Sequence, residues 1–274
     1  MRFADLHLHT IYSDGTYTPQ ELVKEGKKVG LSAIAVVDHD TIDGITPTMN
    51  AGRLEDLEVL AGIELSAEYL GKEIHILGYL INHESPQLKI QLDKLKNNRI
   101  ERIYKIIAKL KEETGVVLNP EAVFEIGNGG VVGRLHVARA MVKEGLVGSI
   151  SEAFRRYIGD RCPGYVLGFK FTPKQAIKLI KDLGGIPVLA HPYIIHNDDL
   201  IVEFVKEGIM GLEVYYPEHT QGMINFYTDF CHKNNLLFTG GSDCHGSAKP
   251  EVRIGSVKIP YEMVDRLKEA KDKL

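Results

Sequence analysis

The chain has 274 residues, of which 44% are hydrophobic and 26% charged, and its net charge is -4. These values exclude wholesale disorder and a protein that coats nucleic acid through bulk positive charge. The length fits two average domains, or one barrel-type domain with an insertion. We expect a cytoplasmic protein, because no secretory signal or long uncharged apolar run is evident and the three cysteines lie far apart.

Strand-like and helix-like segments alternate along the first part of the chain. A short alternating run at 3–9 predicts a first strand, and Thr18 followed by Pro19 predicts the start of a helix. Three continuous apolar runs then predict strands that are buried on both faces. These runs cover 31–37, 57–63 and 73–81.

Residues 84–158 interrupt this alternation and predict a mostly helical insertion, or cap domain. A long helix rich in lysine and arginine is expected from Pro86 to about Thr114, and further helix to about Ile158. Glu101, Glu112 and Glu113 are mixed in with the basic residues of 89–111, which favours a solvated helix face over a nucleic-acid-binding one. The remaining segments, 1–83 and 159–274, would form the main domain.

Alternation resumes after the insertion. Strands are predicted at 186–190, 211–216 and 236–240, with helices between them and a final helix at 264–273. About seven strands separated by helices favour an α/β fold, either a parallel barrel or a doubly wound sheet.

Histidines and carboxylates follow nearly every predicted strand, at the edge where α/β folds place their chemistry. Two of the histidines are two residues apart, so they share one face of the first strand. His75 is an exception, because it falls near the start of its strand. The set contains six histidines and three carboxylates: His7, His9, Asp14, His39, Glu64, His75, His191, Asp243 and His245.

This set predicts a metal site. Imidazole and carboxylate ligands without thiolate suit Mn²⁺, Fe²⁺ or Zn²⁺. A catalytic ion commonly takes three or four protein ligands, so nine ligands with one bridging carboxylate suit two or three ions. Paired ions generate hydroxide and stabilise in-line displacement at phosphorus. Taken singly, each residue has an ordinary structural explanation, and their joint placement carries the prediction.

Six motifs resemble, in order, those of the polymerase and histidinol phosphatase (PHP) family. They are DLHLHTIYSDGTYTP (5–19), VVDHDTIDG (36–44), GIELSAE (62–68), EIHILGY (73–79), AHP (190–192) and GGSDCHG (240–246). The resemblance implies a distorted seven-stranded (β/α)7 barrel. It also implies a metal-dependent phosphoesterase with two or three ions and no side-chain nucleophile, since a metal-activated hydroxide attacks phosphorus.

The resemblance also divides the ligands among ions. His7, His9, Glu64 and Asp243 would hold one ion; Glu64, His75 and His191 a second; and Asp14, His39 and His245 a third. Asp38 and Asp40 are expected either to orient His39 or to cap a helix.

The insertion resembles the branch that removes the 3'-phosphate from nucleoside 3',5'-bisphosphates and trims RNA from its 5' end. The segments concerned are NNRIERIYKI (97–106), GRLHVARAM (133–141), FRRYIGDRCPGYV (154–166) and YYPEHT (215–220). Leu135 stands where that branch usually has proline. Arg134, His136 and His219 are the expected substrate-binding residues, and Arg134 could grip phosphate in a bidentate manner.

The expected partner is therefore a phosphorylated small molecule, a nucleotide or a short RNA, with no membrane and no obligate protein partner. Two alternatives stay open. The same site could serve a histidinol-phosphate phosphatase, or the chain could be a metal-binding accessory domain without turnover. A C–N hydrolase of the amidohydrolase type fits less well, because its ligands come in a different motif order.

Overall fold

The structure is a computed structural model that describes residues 1–168 and 171–274. A nearly closed barrel sheet lies at its centre, with strand order β7-β6-β5-β4-β3-β2-β1-β8. The strands are β1 (Phe3–Leu8), β2 (Ala33–Val36), β3 (Glu58–Tyr69), β4 (Lys72–Tyr79), β5 (Ile186–Leu189), β6 (Gly211–Tyr215), β7 (Leu237–Gly240) and β8 (Ile259–Pro260). The expected α/β barrel is thus confirmed, with the short strand β8 added antiparallel to β1.

Ten α-helices connect or flank these strands in the described part of the chain. They are α1 (Pro19–Lys28), α2 (Ile45–Leu54), α3 (Pro86–Thr114), α4 (Pro120–Gly127), α5 (Arg134–Lys143), α6 (Ile150–Ala153), α7 (Pro173–Asp182), α8 (Asp199–Glu207), α9 (Gln221–Asn234) and α10 (Glu262–Lys271). A π-helical turn at Phe154–Ile158 continues α6. Within 1–168 and 171–274, none of these helices combines the length and apolar character that a bilayer crossing requires.

The start of α1 follows directly from its sequence. The Thr18 hydroxyl accepts a hydrogen bond from the Glu21 amide, while the Glu21 carboxylate accepts one from the Thr18 amide at 2.8 Å. This reciprocal pair satisfies two amides that a helix start otherwise leaves free, and Pro19 needs no partner in the first turn.

The direction of β4 explains the position of His75. This strand runs antiparallel to both of its neighbours, β3 and β5, and His75 pairs with Ser66 near the end of β3. The beginning of an antiparallel strand lies at the edge where its parallel neighbours end. His75 therefore reaches the same edge as the other predicted ligands, although it comes early in its strand.

The barrel closes where β7 meets β1. The His9 amide donates to the Cys244 carbonyl at 3.2 Å, and the Asp243 amide donates to the His7 carbonyl at 2.9 Å. Gly241 permits this contact, because a Cβ at that position would lie 2.4 Å from the His7 backbone nitrogen. His7 and His9, near the start of the sequence, thus lie beside Asp243 and His245, near its end.

The cap has its own apolar core. Buried side chains of α3, α4 and α5, including Ile106, Val123 and Met141, pack together apart from the barrel clusters. The first part of α3 packs instead on the barrel through Leu88 and Leu92. The α3 helix therefore joins both cores. This arrangement supports a cap at 84–158, and the exact division stays a prediction.

Candidate metal centre

The Glu64 carboxylate lies at the centre of the predicted ligand set. It lies within the buried stretch 62–67 of β3 and is 1% exposed. Five histidine rings surround it with nitrogen–oxygen distances of 2.9 to 3.3 Å. These rings belong to His7, His9, His39, His75 and His191. One oxygen faces His75 and His191, and the other faces the remaining three, which is the geometry of a bridging ligand.

The ligand atoms form three groups in the described part of the chain, and within each group they lie no more than 4.8 Å apart. The groups are His7, His9, Glu64 and Asp243; His9, Asp14, His39 and His245; and His39, Glu64 and His75. The first group has the residues of the first predicted set, the second adds His9 to the third predicted set, and the third has His39 where His191 was predicted. His9, His39 and Glu64 are each shared by two groups, and His191 joins through its 3.2 Å contact with Glu64.

Unpartnered buried atoms show that divalent cations fit this cluster. His75 Nδ1 lies 2.9 Å from Glu64 Oε1 but makes no hydrogen bond there. Several other buried atoms of the predicted ligands also lack a hydrogen-bond partner among the residues that the structure describes. They are both nitrogens of His9, Nδ1 of His39, Nδ1 of His191 and Oδ1 of Asp14. Lone pairs that face one another in a buried space are costly without a cation between them, so the donor set fits divalent metal ions.

Protonation of the histidines is dominated by burial and by the carboxylates. Burial disfavours the charged form of His7, but Glu213, Glu64 and Asp243 outweigh it and raise its pKa well above the usual value. The same balance raises the pKa of His9 to about 9. Burial prevails at His39 and lowers its pKa to about 3.

Glu213 is a buried carboxylate that the sequence analysis did not identify. It lies on β6 with no exposed surface, and its Oε1 is 2.8 Å from His7 Nδ1. Its Oε2 accepts a hydrogen bond from the His191 amide at 2.9 Å. A carboxylate behind a ligand histidine fixes the tautomer and orientation of the ring, so Nε2 of His7 is left facing Glu64.

Asp243 is held in a similar way. The Tyr216 hydroxyl and the Lys249 ammonium group contact its Oδ2 at 2.8 and 2.7 Å, while Oδ1 faces the histidines. Asp243 and His191 also have left-handed backbones, with φ of 55° and 28°. Such strain in residues other than glycine clusters at functional sites, where the surrounding contacts enforce it.

The contacts of the Asp38 and Asp40 carboxylates hold neighbouring loops in place rather than orient the His39 ring. The Asp38 carboxylate accepts hydrogen bonds from the amide and hydroxyl of Thr10 and from the Ser13 hydroxyl, so it holds the loop after β1. Asp40 accepts from the Ser66 amide and pairs with Arg99 of the cap helix α3. Both carboxylates fix loops around the site.

A cavity of about 690 Å³ lies between the ligand cluster and the cap. Arg99, Arg102 and Arg134 line its cap side, and their side chains are only 14%, 6% and 16% exposed. The expectation of a solvated basic face on α3 is therefore wrong for Arg99 and Arg102. Apolar side chains, among them Leu135 and Phe154, complete the cap side.

Of the three expected substrate-binding residues, Arg134 lines the cavity. Its guanidinium donates to Glu73 at 3.0 Å and to Asp160 at 2.7 Å. His136 and His219 lie beneath the cavity surface in the described structure, 1% and 8% exposed. His136 Nδ1 accepts from the Gly133 amide and caps α5, whereas His219 Nδ1 donates to the Val214 carbonyl. This geometry favours supporting roles for both histidines, and direct substrate contact stays a prediction.

Comparisons with known proteins agree with this geometry. Residues 5–126 match the model of the PHP domain. A 5'-3' exoribonuclease of Haemophilus influenzae is 31% identical, over 88% of this chain and 89% of that protein. A 3',5'-nucleoside bisphosphate phosphatase of Chromobacterium violaceum is 28% identical, over 88% and 86%. The crystal structure of a protein from Bifidobacterium adolescentis, described as a metal-dependent phosphoesterase, superposes with a TM-score of 0.89 at 26% identity, covering 96% of this chain and 94% of that one.

Proposed function

The chain belongs to the PHP family of metal-dependent phosphoesterases, and from this premise we propose that its substrates are phosphate esters of nucleotides. The specific reactions are removal of the 3'-phosphate from nucleoside 3',5'-bisphosphates and trimming of short RNA from its 5' end. One observation carries this proposal: a cavity has seven of the nine predicted ligand residues on one side and three largely buried arginines with apolar side chains on the other.

Two or three divalent ions, Mn²⁺, Fe²⁺ or Zn²⁺, are the proposed cofactors. The three ligand groups supply enough donors for three ions, and Glu64 would bridge two of them. When bound, such ions supply Lewis acidity that polarises the phosphate and activates water. Imidazole and carboxylate donors without thiolate support this choice of metals.

The remaining side chains of the cavity would bind and orient the substrate. Arg134 is placed to hold phosphate oxygens, because its planar guanidinium matches their geometry. Lys249 lines the opposite side and adds positive charge next to Asp243. Leu135, Ile150 and Phe154 offer an apolar surface for a nucleoside. A small polar alcohol phosphate would leave this surface unused, which supports a nucleotide over histidinol phosphate.

Phosphate release by the Mn²⁺-loaded protein tests this proposal. Adenosine 3',5'-bisphosphate, AMP and histidinol phosphate are compared in parallel, together with a short 5'-phosphorylated RNA. Preference for the bisphosphate or the RNA supports the proposal. Preference for histidinol phosphate would overturn it while retaining the metal site.

A Glu64→Gln variant is the control for this assay, because it keeps the shape of the bridging side chain and removes its charge. No release by the wild-type protein from any of the four substrates, with metal demonstrably bound, would favour a metal-binding domain without turnover.

A further inference from the structure

Asp14 is tied to the barrel less directly than the ligands beside it. Its Oδ1 lies 3.2 Å from His245 Nε2, and its Oδ2 lies 3.9 Å from His39 Nε2. Backbone bridges to β3 and β1 hold His39 and Cys244, the residue before His245. Asp14 instead ends a turn at 11–14, beyond the end of β1, which we call the Asp14 turn. The place of Asp14 in its ligand group therefore depends on what holds this turn.

The cap reaches the Asp14 turn through residues 129–136, which we call the cap segment. The Val131 amide donates to the Tyr12 carbonyl at 2.9 Å. Gly130 lies directly against the same backbone, because a Cβ there would be 2.7 Å from the Tyr12 carbonyl oxygen and 3.0 Å from that of Ile11. Both atoms belong to the main chain, so no side chain can rotate away to make room. A larger residue at Gly130 would have to displace the turn or the cap segment.

His136 adds a second contact between the cap segment and the Asp14 turn. Its ring is buried, and its Nδ1 accepts a hydrogen bond from the Gly133 amide at 3.1 Å. Burial lowers the pKa of His136 to about 4, although the Asp14 charge and a hydrogen bond with the Ser13 backbone oppose this, so the ring is neutral near pH 7. A neutral ring that accepts at Nδ1 carries its proton on Nε2. That proton is available to the carbonyl of Ser13, directly before Asp14.

The cap segment is itself anchored on the long helix α3. Lys96 donates to the Gly129 carbonyl at 2.9 Å, and Arg99 Nη1 donates to the Val132 carbonyl at 3.3 Å. Arg99 Nε also donates to Asp40, in the loop after β2, at 2.8 Å. These contacts fix the cap segment relative to the barrel, so the cap segment can hold the Asp14 turn in one position.

We propose that the cap segment positions Asp14 and thereby sets the metal affinity of the group formed by Asp14, His39 and His245. Gly130 and His136 are the positioning residues, and they act through the backbone of the Asp14 turn. This inference rests on the proposed function, because it takes divalent ions as the cofactors. Ligand distances in a metal site tolerate changes of only about 0.2 Å. The displacement that a Cβ at Gly130 would require is larger than this tolerance.

Calorimetric titration of Mn²⁺ into the metal-free protein, with the bound ions counted by elemental analysis, tests the proposal. The wild-type protein should take up one ion more than Asp14→Asn, which identifies the ion held by the Asp14 group. For Gly130→Ala we expect the affinity for that ion to fall roughly 10- to 100-fold, the range for residues that orient a metal ligand. Unchanged affinity for the other ions shows that the variant is folded. Gly148→Ala, also in the cap, should alter no ion, because its Cβ would lie 3.4 Å from Glu152 Oε2.

A double variant shows whether the cap segment acts through Asp14. Gly130→Ala in the Asp14→Asn background should cause no further loss of metal affinity, because the ligand that it positions is already removed. Two substitutions of His136 separate the contacts of its ring. His136→Asn keeps a polar group near Nδ1 and removes the donor to Ser13, so it should weaken the same ion. His136→Gln restores a donor near the position of Nε2 and should recover part of that loss.

Unchanged affinity for every ion in both Gly130→Ala and His136→Asn would overturn the proposal. So would equal losses at all ions, or a Gly130→Ala loss of the same size with Asp14→Asn present. An equal ion count in the wild-type protein and Asp14→Asn would also overturn it. Failure of the proposed function is a separate result, in which the ions bind as expected and no phosphate is released from any nucleotide substrate.

Discussion

Replacement of Glu213 by glutamine should weaken metal binding without opening the site to water. The carboxylate accepts from two donors, and the backbone N–H of His191 can only donate. The amide oxygen must therefore face His191, which turns the new NH2 group toward His7 Nδ1. His7 then has to accept at Nδ1 and carry its proton on Nε2, the nitrogen that faces Glu64 at 3.1 Å. A protonated Nε2 cannot ligate.

The expected loss is 10- to 100-fold in metal affinity, or about 1.4–2.7 kcal/mol, as for other residues that orient a ligand histidine. Calorimetric titration of Mn²⁺ into the metal-free variant measures it. Glu203→Gln provides a matched control, because that carboxylate is exposed and bonds only to the Tyr69 hydroxyl among its recorded contacts. Unchanged affinity in Glu213→Gln, with a reduced affinity in His7→Ala, would refute the tautomer argument.

Three further predictions concern the same centre. Glu64→Gln should abolish turnover while circular dichroism shows an intact fold, and wild-type activity would contradict the bridging role. The carboxylates outweigh burial and hold the pKa of His9 and His75 at about 9 in the metal-free protein, so both rings carry protons near neutral pH. Metal binding should therefore release protons, and metal affinity should increase as pH rises toward about 9. Calorimetry in two buffers of different ionisation enthalpy counts the protons released. Zero release would reject the assignment of His9 and His75 as ligands. Gly241→Ala should lower stability by about 1–3 kcal/mol through its clash with β1, measured as a shift in Tm. Gly222→Ala should not lower it, because the new Cβ would lie 3.8 Å from Thr220 Oγ1, an ordinary van der Waals contact.

The sequence could predict the cluster of histidines and carboxylates because the chemistry of these side chains is local. A histidine or carboxylate at a strand end is visible in the pattern, and the barrel brings such ends together whatever the details of packing. His75 marks the limit of this reasoning. Its place near the start of a strand conflicts with a parallel sheet, and only the antiparallel direction of β4 resolves the conflict.

Glu213 and Arg102 could not be found in the same way. Glu213 lies within a strand, and the sequence pattern does not distinguish a buried glutamate that bonds to a ligand histidine from one that faces solvent. Arg102 lies in a helix of mixed charge, and its burial depends on how the cap packs over the barrel. Both roles arise from contacts between elements far apart in sequence, which periodicity does not encode.

The length of α3 has a consequence for how this protein can vary. Its 29 residues span about 44 Å without an interior proline or glycine, and one helix carries both Leu92 of the barrel contact and Arg102 of the cavity wall. Inserting or deleting one residue between them would rotate the arginine by about 100° around the axis. Insertions in the loops at 115–119 or 144–147, which do not line the cavity, would not rotate the arginine. The size of the cap can thus be changed in those loops while the cavity stays intact, but not within α3.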